Sequence, residues 1–184
     1  KMSLRASVTS ELVLDEVRLP ADAMLPEVRG LKGPLSCLSE ARYGIVWGSL
    51  GAARSSLASA LTYSIEREQF GKPIAGFQLT QQKLAEMYLE YSKGLLLAVH
   101  LGRRKDAGTV TPEQISLGKL NNVREALAIA RECRTLLGGS GITLEYSPLR
   151  HANNLESVLT YEGTSEMHLL SIGKALTGHA AFRS

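Results

Sequence analysis

The chain has 184 residues, 44% of them hydrophobic, which is enough for one domain with a buried core, or one domain carrying a fragment of another. Its 21 basic and 18 acidic residues leave a net charge of only +3, too mild for nucleic acid to be the main partner. Two distant cysteines, Cys37 and Cys133, support neither a zinc cluster nor a disulfide scaffold and point to a reducing compartment.

No uninterrupted apolar run approaches the roughly 20 residues that cross a bilayer, and the start KMSLRASVTS lacks the apolar stretch of a secretory signal, so a soluble protein without membrane insertion is expected. Residues 11–19, ELVLDEVRL, lean towards β structure, yet no later stretch offers a partner strand. A piece of a longer polypeptide is therefore expected. Pro20, Pro26, Gly30, Gly33 and Pro34 then interrupt any regular element and read as a linker.

From Cys37 to about Arg67 the apolar residues Val46, Leu50, Ala53, Leu57, Leu61 and Ile65 recur in steps of three and four, predicting one helix. If unbroken it is about 45 Å long. Gly71 suits a helix C-terminus and Pro73 cannot continue one, so a turn is expected over Glu68–Gly76. A second helix is predicted from about Phe77 to Lys105 on the stripe Leu84, Met87, Tyr91, Leu95 and Ala98, with Gly94 marking a close helix crossing. The basic run Arg103-Arg104-Lys105 reads as the solvated end of that helix.

Thr111 and Pro112 carry the signature of a capped start, and Leu120, Val123, Leu127 and Ala130 extend a third helix towards Leu137. It stops at Gly138-Gly139-Ser140-Gly141. Residues 144–159 read as irregular with short helical pieces, and a fourth helix is expected from Thr164 to Ala181. The sum is an all-α fold, an up-down four-helix bundle with a short N-terminal β remnant.

Chemistry-bearing patterns are few. His100, His151, His168 and His179 show no metal-ligand spacing, so no metal site is expected. Gly139-Ser140-Gly141 lacks the strand and spacing of a nucleophile elbow, and no Gly-Lys-Ser/Thr makes a phosphate loop of it; a helix end tolerating positive φ accounts for it. Arg67 either complements the dipole of the first helix or grips a phosphate in two-pronged fashion, and spacing does not decide between them. In LTYEGTSE, residues 159–166, helix capping explains Thr164, Ser165 and Glu166 but leaves Tyr161, Glu162 and Gly163 unexplained.

KMSLRAS with ELVLDEVRLP, ARYGIVWG, REQFGKPIAGFQLTQQKLA, LLGGSG and YEGTSE, taken in order over nearly the whole chain, resemble the acyl-CoA dehydrogenase family. Through ARYGIVWG, LRHANNLE, TYEGT and LTGHAAF the likeness is to its glutaryl-CoA-specific branch. The resemblance implies that residues 1–34 are the end of a middle β domain with its linker, and residues 35–184 the C-terminal helical-bundle domain. It implies FAD as cofactor, an acyl-CoA thioester (glutaryl-CoA) as substrate, electron-transfer flavoprotein as electron acceptor and a homo-oligomer, dimeric or tetrameric. A bacterial cytoplasm or a mitochondrial matrix is the implied location.

Position by position, the resemblance makes Glu162 the catalytic base. Arg67, Gln69, Phe70, Gln78, Thr135, Leu136, Leu137, Gly138, Gly139, Thr164 and Phe182 fall at flavin contacts, some reaching a neighbouring subunit's cofactor. Leu35, Ser36, Cys37, Leu38, Ser39, Glu40, Ala41, Arg42, Tyr161 and Gly163 fall along the acyl-CoA site. Thr135 departs from the pattern, since many members carry glutamine there. Two further readings stand beside this one: from a different class, a helical assembly module without catalysis of its own in this truncated form; and, on the same bundle, a related oxidase or hydroxylase or another short-chain acyl-CoA dehydrogenase.

Overall fold

The computed structural model describes residues 1–181. Five helices form: α1 (Lys32–Glu66), α2 (Gln78–Asp106), α3 (Pro112–Leu136), α4 (Pro148–Thr160) and α5 (Ser165–Thr177). The expected all-α bundle is present, with one helix more than the periodicity announced.

Helix α1 starts five residues earlier than Cys37, because Pro34 sits in its first turn, where a missing N–H leaves no intrahelical bond unmade. Its inward face alternates Val46, Leu50, Ala53 and Ala60 with the buried serines Ser49, Ser56 and Ser64. Ser56 and Ser64 donate to the carbonyls of Ala52 and Ala60, at 2.9 and 2.7 Å, so their hydroxyls enter the core satisfied.

The turn after α1 is a two-stranded hairpin, β1 (Glu68–Gln69) with β2 (Lys72–Pro73), in register Glu68 to Pro73 and Gln69 to Lys72. Gly71 is thus a hairpin residue and not a helix terminus. Phe70 and Gly71 have φ of 52° and 77°, the pair of positive values that a two-residue turn of this hand requires.

Helix α3 is the central element and packs against all four others. Thr111 and Gln114 close a reciprocal capping box at its start, with Pro112 in the first turn. Ile115, Val123, Ala126, Leu127, Ala130 and Cys133 are buried along it. Asn122 donates to the carbonyls of Val46 and Gly94, at 3.1 and 3.2 Å, tying α3 to α1 and α2.

Most of the stretch 144–159, expected to be irregular with short helical pieces, instead belongs to one continuous helix, α4 (Pro148–Thr160), which buries Pro148, Ala152 and Leu155. Residues 11–19 form no strand: Leu12, Val13 and Leu14 are 80–89% exposed, and a strand without a partner leaves its backbone groups to water. Helix α5 ends at Thr177, short of Ala181, because Gly178 takes the left-handed position just past the helix. The basic end of α2 is more than a solvated face: Arg104 donates to Gln114 and Thr109, and Lys105 pairs with Glu40 of α1.

Candidate active site at one end of the bundle

Helix α4 ends at Thr160 and α5 begins at Ser165, so Tyr161–Thr164 must reverse the chain in four residues. Glu162 and Gly163 do so with φ of 58° and 96°. A positive φ at a glutamate costs roughly 1 kcal/mol or more and persists only where the surroundings impose it.

Those surroundings are cationic. Lys119 of α3, 2% exposed, points its ammonium at the turn and donates to the Tyr161 carbonyl at 2.5 Å and the Gly163 carbonyl at 2.6 Å. Arg42 of α1 donates through Nε to the Glu162 carbonyl at 2.7 Å. Three consecutive carbonyls are therefore held by two side chains from two helices. Thr164 caps α5, its hydroxyl accepting from the Met167 amide at 3.4 Å.

His168, one turn into α5, is 3% exposed and lies beneath Gly163; a Cβ at Gly163 would stand 3.0 Å from its Cε1 and Nε2. Burial, then the cations of Lys119 and Arg42, push the His168 imidazole down to about 4, against the opposing pull of the Gly163 backbone. Burial and the Arg42 guanidinium push the Lys119 ammonium down to about 8, while the Glu162 carboxylate pulls it up. At neutral pH the imidazole is neutral and the ammonium charged. Burial, then Glu162, raises the Tyr161 phenol.

Glu162 Oε2 is buried and has no hydrogen-bond partner among the described residues. A carboxylate oxygen left unpaired out of water is costly. The preceding residue, Tyr161, lines a cleft of about 350 Å³ between α1 and α4. Gly44, Gly48 and Ala52 line one side, His151 and Asn154 the other, and Tyr161 closes the end. Of the substrate positions expected on α1, Ala41 lines this cleft and Arg42 holds the turn. Leu35, Ser36, Cys37 and Glu40 are exposed and Leu38 and Ser39 partly so, on the first turns of the same helix; Ser36 and Ser39 bond the backbone of the preceding turn.

The remaining expected residues gather at the opposite end. Arg67 terminates α1, its amide donating to Tyr63 at 2.8 Å; it is exposed and enters no ion pair among the described residues. Gln69 lies in β1, Phe70 is 93% exposed at the hairpin tip with its ring edge-on to Phe77 at 6.3 Å, and Gln78 opens α2. Tyr63 meets Tyr146 edge-on at 5.5 Å, which places the segment after α3 beside this end of α1. Thr135 is exposed and bonds its own helix, Leu136 is half-buried, Leu137 is 1% exposed and offers only its backbone, and Gly138 and Gly139 are open to solvent. Phe182 lies outside the described residues.

Arg42 and Arg67 stand about 37 Å apart along α1, so one copy of the chain does not bring the two sets together. From the sequence, His168 is weighed only as a metal ligand and Lys119 is not singled out, although Ile115, Lys119, Asn122, Val123 and Ala126 form one helical stripe with a lysine and an asparagine where apolar residues belong. That misplaced polarity was the available signal.

The profile of the family described as "Acyl-CoA dehydrogenase, C-terminal domain" matches residues 28–177. The chain is 37% identical over 177 residues, 96% of its length and 43% of the relative's, to a probable short/branched chain specific acyl-CoA dehydrogenase of Dictyostelium discoideum. It is 34% identical, over 96% of its length and 46% of the relative's, to a short-chain specific acyl-CoA dehydrogenase of Megasphaera elsdenii. A crystal structure of a glutaryl-CoA dehydrogenase from Mycobacterium smegmatis in complex with FADH2 superposes with a TM-score of 0.97 at 77% identity, covering 100% of this chain and 47% of that one. The chain thus spans about half the length of the relatives it matches. A strained glutamate turn held between helices of an up-down bundle, and a matching profile over residues 28–177, place the chain in the acyl-CoA dehydrogenase family.

Proposed function

We propose that this chain is the C-terminal part of an FAD-dependent glutaryl-CoA dehydrogenase in which Glu162 is the catalytic base. The observation that carries the reading is the buried, unpartnered Oε2 of Glu162, in a turn whose preceding residue, Tyr161, lines the cleft: an acceptor without a donor is what a proton-abstracting carboxylate needs. The 77% identity to a glutaryl-CoA dehydrogenase supports the choice of acyl group.

In this mechanism Glu162 removes the α proton of the thioester. FAD, when bound, supplies the acceptor for the hydride that leaves the β carbon. The resulting α,β-unsaturated glutaconyl thioester loses its terminal carboxylate as CO₂, and a proton returned to the carbon chain gives crotonyl-CoA. Tyr161 walls the cleft, Gly163 lets the thioester approach the backbone, and Arg42 keeps the turn in place. Arg67, Gln69, Phe70, Gln78 and Thr135–Gly139 suit a flavin dinucleotide, with an exposed guanidinium for phosphate and an exposed ring for stacking. Because they lie about 37 Å from Arg42, they would serve the cofactor of a neighbouring subunit. A homo-oligomer follows, and electron-transfer flavoprotein is the proposed electron acceptor. Residues 1–34 are read as the end of the preceding β domain with its linker.

The test is Glu162→Gln in the complete polypeptide. FAD should stay bound while glutaryl-CoA no longer bleaches it, and near-normal bleaching would remove Glu162 as the base. A panel of glutaryl-, butyryl- and isovaleryl-CoA then decides the acyl group. The same separation of the two residue sets favours a second reading for the isolated 184-residue chain, a helical assembly module that oligomerises without flavin. Colourless protein that elutes as an oligomer is its expected signature.

A further inference from the structure

Burying a lysine ammonium is expensive, and in α3 an apolar residue at position 119 would continue the stripe of Ile115 and Val123. Among the described residues Lys119 forms no salt bridge with a carboxylate; its donors go to two main-chain carbonyls, Tyr161 at 2.5 Å and Gly163 at 2.6 Å. Those carbonyls flank Glu162, whose own carbonyl is taken by Arg42 at 2.7 Å. The segment so gripped has φ of 58° and 96° and would otherwise relax.

We propose that Lys119 is a positioning residue for proton abstraction: by clamping the carbonyls on either side of Glu162, it fixes the left-handed turn from which the carboxylate reaches the substrate. The inference rests on Glu162 being the base. Arg42 alone, with one bond to the middle carbonyl, leaves both flanking peptides free to rotate, whereas the ammonium joins them through a single atom. A rotation that moves the carboxylate by about 1 Å is enough to cost on the order of 100-fold in rate.

The test compares Lys119→Met and Lys119→Arg in the complete, flavin-loaded enzyme. Lys119→Met should lower kcat by about 100-fold with KM changed by less than about threefold, because binding is retained while the base is misaimed. Amide hydrogen exchange in the peptide spanning Tyr161–Thr164 should rise in the same variant, and Lys119→Arg, which restores donors to the carbonyls, should recover at least about tenfold of the lost kcat. Unchanged exchange with kcat within about threefold of wild type overturns the proposal. So does a loss confined to KM. Should Lys119→Met fail to hold FAD, Lys119→Arg decides by the same two readouts. A Glu162→Gln enzyme that still turns over overturns the underlying base assignment, whereas an inert Glu162→Gln beside a near-normal Lys119→Met overturns this inference alone.

Discussion

His168 sits against Gly163 with Lys119 and Arg42 as its charged neighbours, and protonating it would place a third cation in a buried site. Its folded value of about 4 lies below the ordinary 6.5. Between those two pH values the unfolded chain takes up a proton that the folded chain refuses, so stability from this residue is complete above 6.5 and is lost as pH falls towards 4. At pH 4.5 the loss amounts to about 2 kcal/mol. His168→Gln fills similar space without the titration. In denaturant unfolding, the wild type should lose about 2 kcal/mol more than His168→Gln between pH 7 and 4.5. Equal losses would show that the imidazole takes its proton without penalty.

At the scale of elements, the crossing of α2 and α3 is set by Gly94. A Cβ there would stand 2.9 Å from Asn122 Oδ1 and 3.0 Å from Leu50 Cδ2. The Asn122 amide cannot simply swing away, because its Nδ2 is engaged with the carbonyls of Val46 and Gly94. Gly94→Ala gains up to about 1 kcal/mol of helix propensity but meets an overpacking cost of about 1–3 kcal/mol. Net destabilisation of about 1 kcal/mol, read as a Tm lowered by about 2–4 °C, is expected. Gly51 on α1 has nothing within 4 Å of its missing Cβ, so Gly51→Ala should instead raise Tm. A Gly94→Ala that melts higher, as Gly51→Ala should, would mean the crossing has slack.

The same scale shows what the sequence could disclose. Helices α1, α2 and α3 announced themselves because Val46, Leu50 and Ala53, or Val123, Leu127 and Ala130, repeat at the helical period over many turns. Helix α4 turns Pro148, Ala152, Leu155, Val158 and Leu159 inwards, interleaved with Arg150, His151, Asn153 and Asn154, a stripe over too few turns to stand out. The β-leaning residues 11–19 misled for the opposite reason, since their composition favours a strand but only a partner strand can create one. Glu162 was legible through family resemblance. Its support was not, because Arg42, Lys119 and His168 come from three helices and meet only in the fold.

For the whole molecule, the decisive fact is the length of α1, Lys32–Glu66, which separates the Glu162 end from the Arg67 end by about 37 Å. If both sets serve one flavin, they come from different subunits, and the exposed Leu61, Ile65, Leu89 and Leu96 on α1 and α2 offer apolar surface for that contact. A complementation experiment distinguishes the arrangements. Glu162→Gln disables the site in its own subunit, whereas Arg67→Ala disables the site of the neighbour. When the two inactive complete enzymes are co-expressed, a site that draws Glu162 from the Arg67→Ala chain and Arg67 from the Glu162→Gln chain is intact. With random pairing each choice has an even chance, so about one quarter of wild-type activity should return. If Arg67 instead served its own subunit, every site in the mixture would carry one defect and no activity would return. A mixture as inert as its parents, in hybrids verified by mass, would therefore show that Arg67 and Glu162 must come from one and the same chain and remove the arrangement in which two subunits share a flavin.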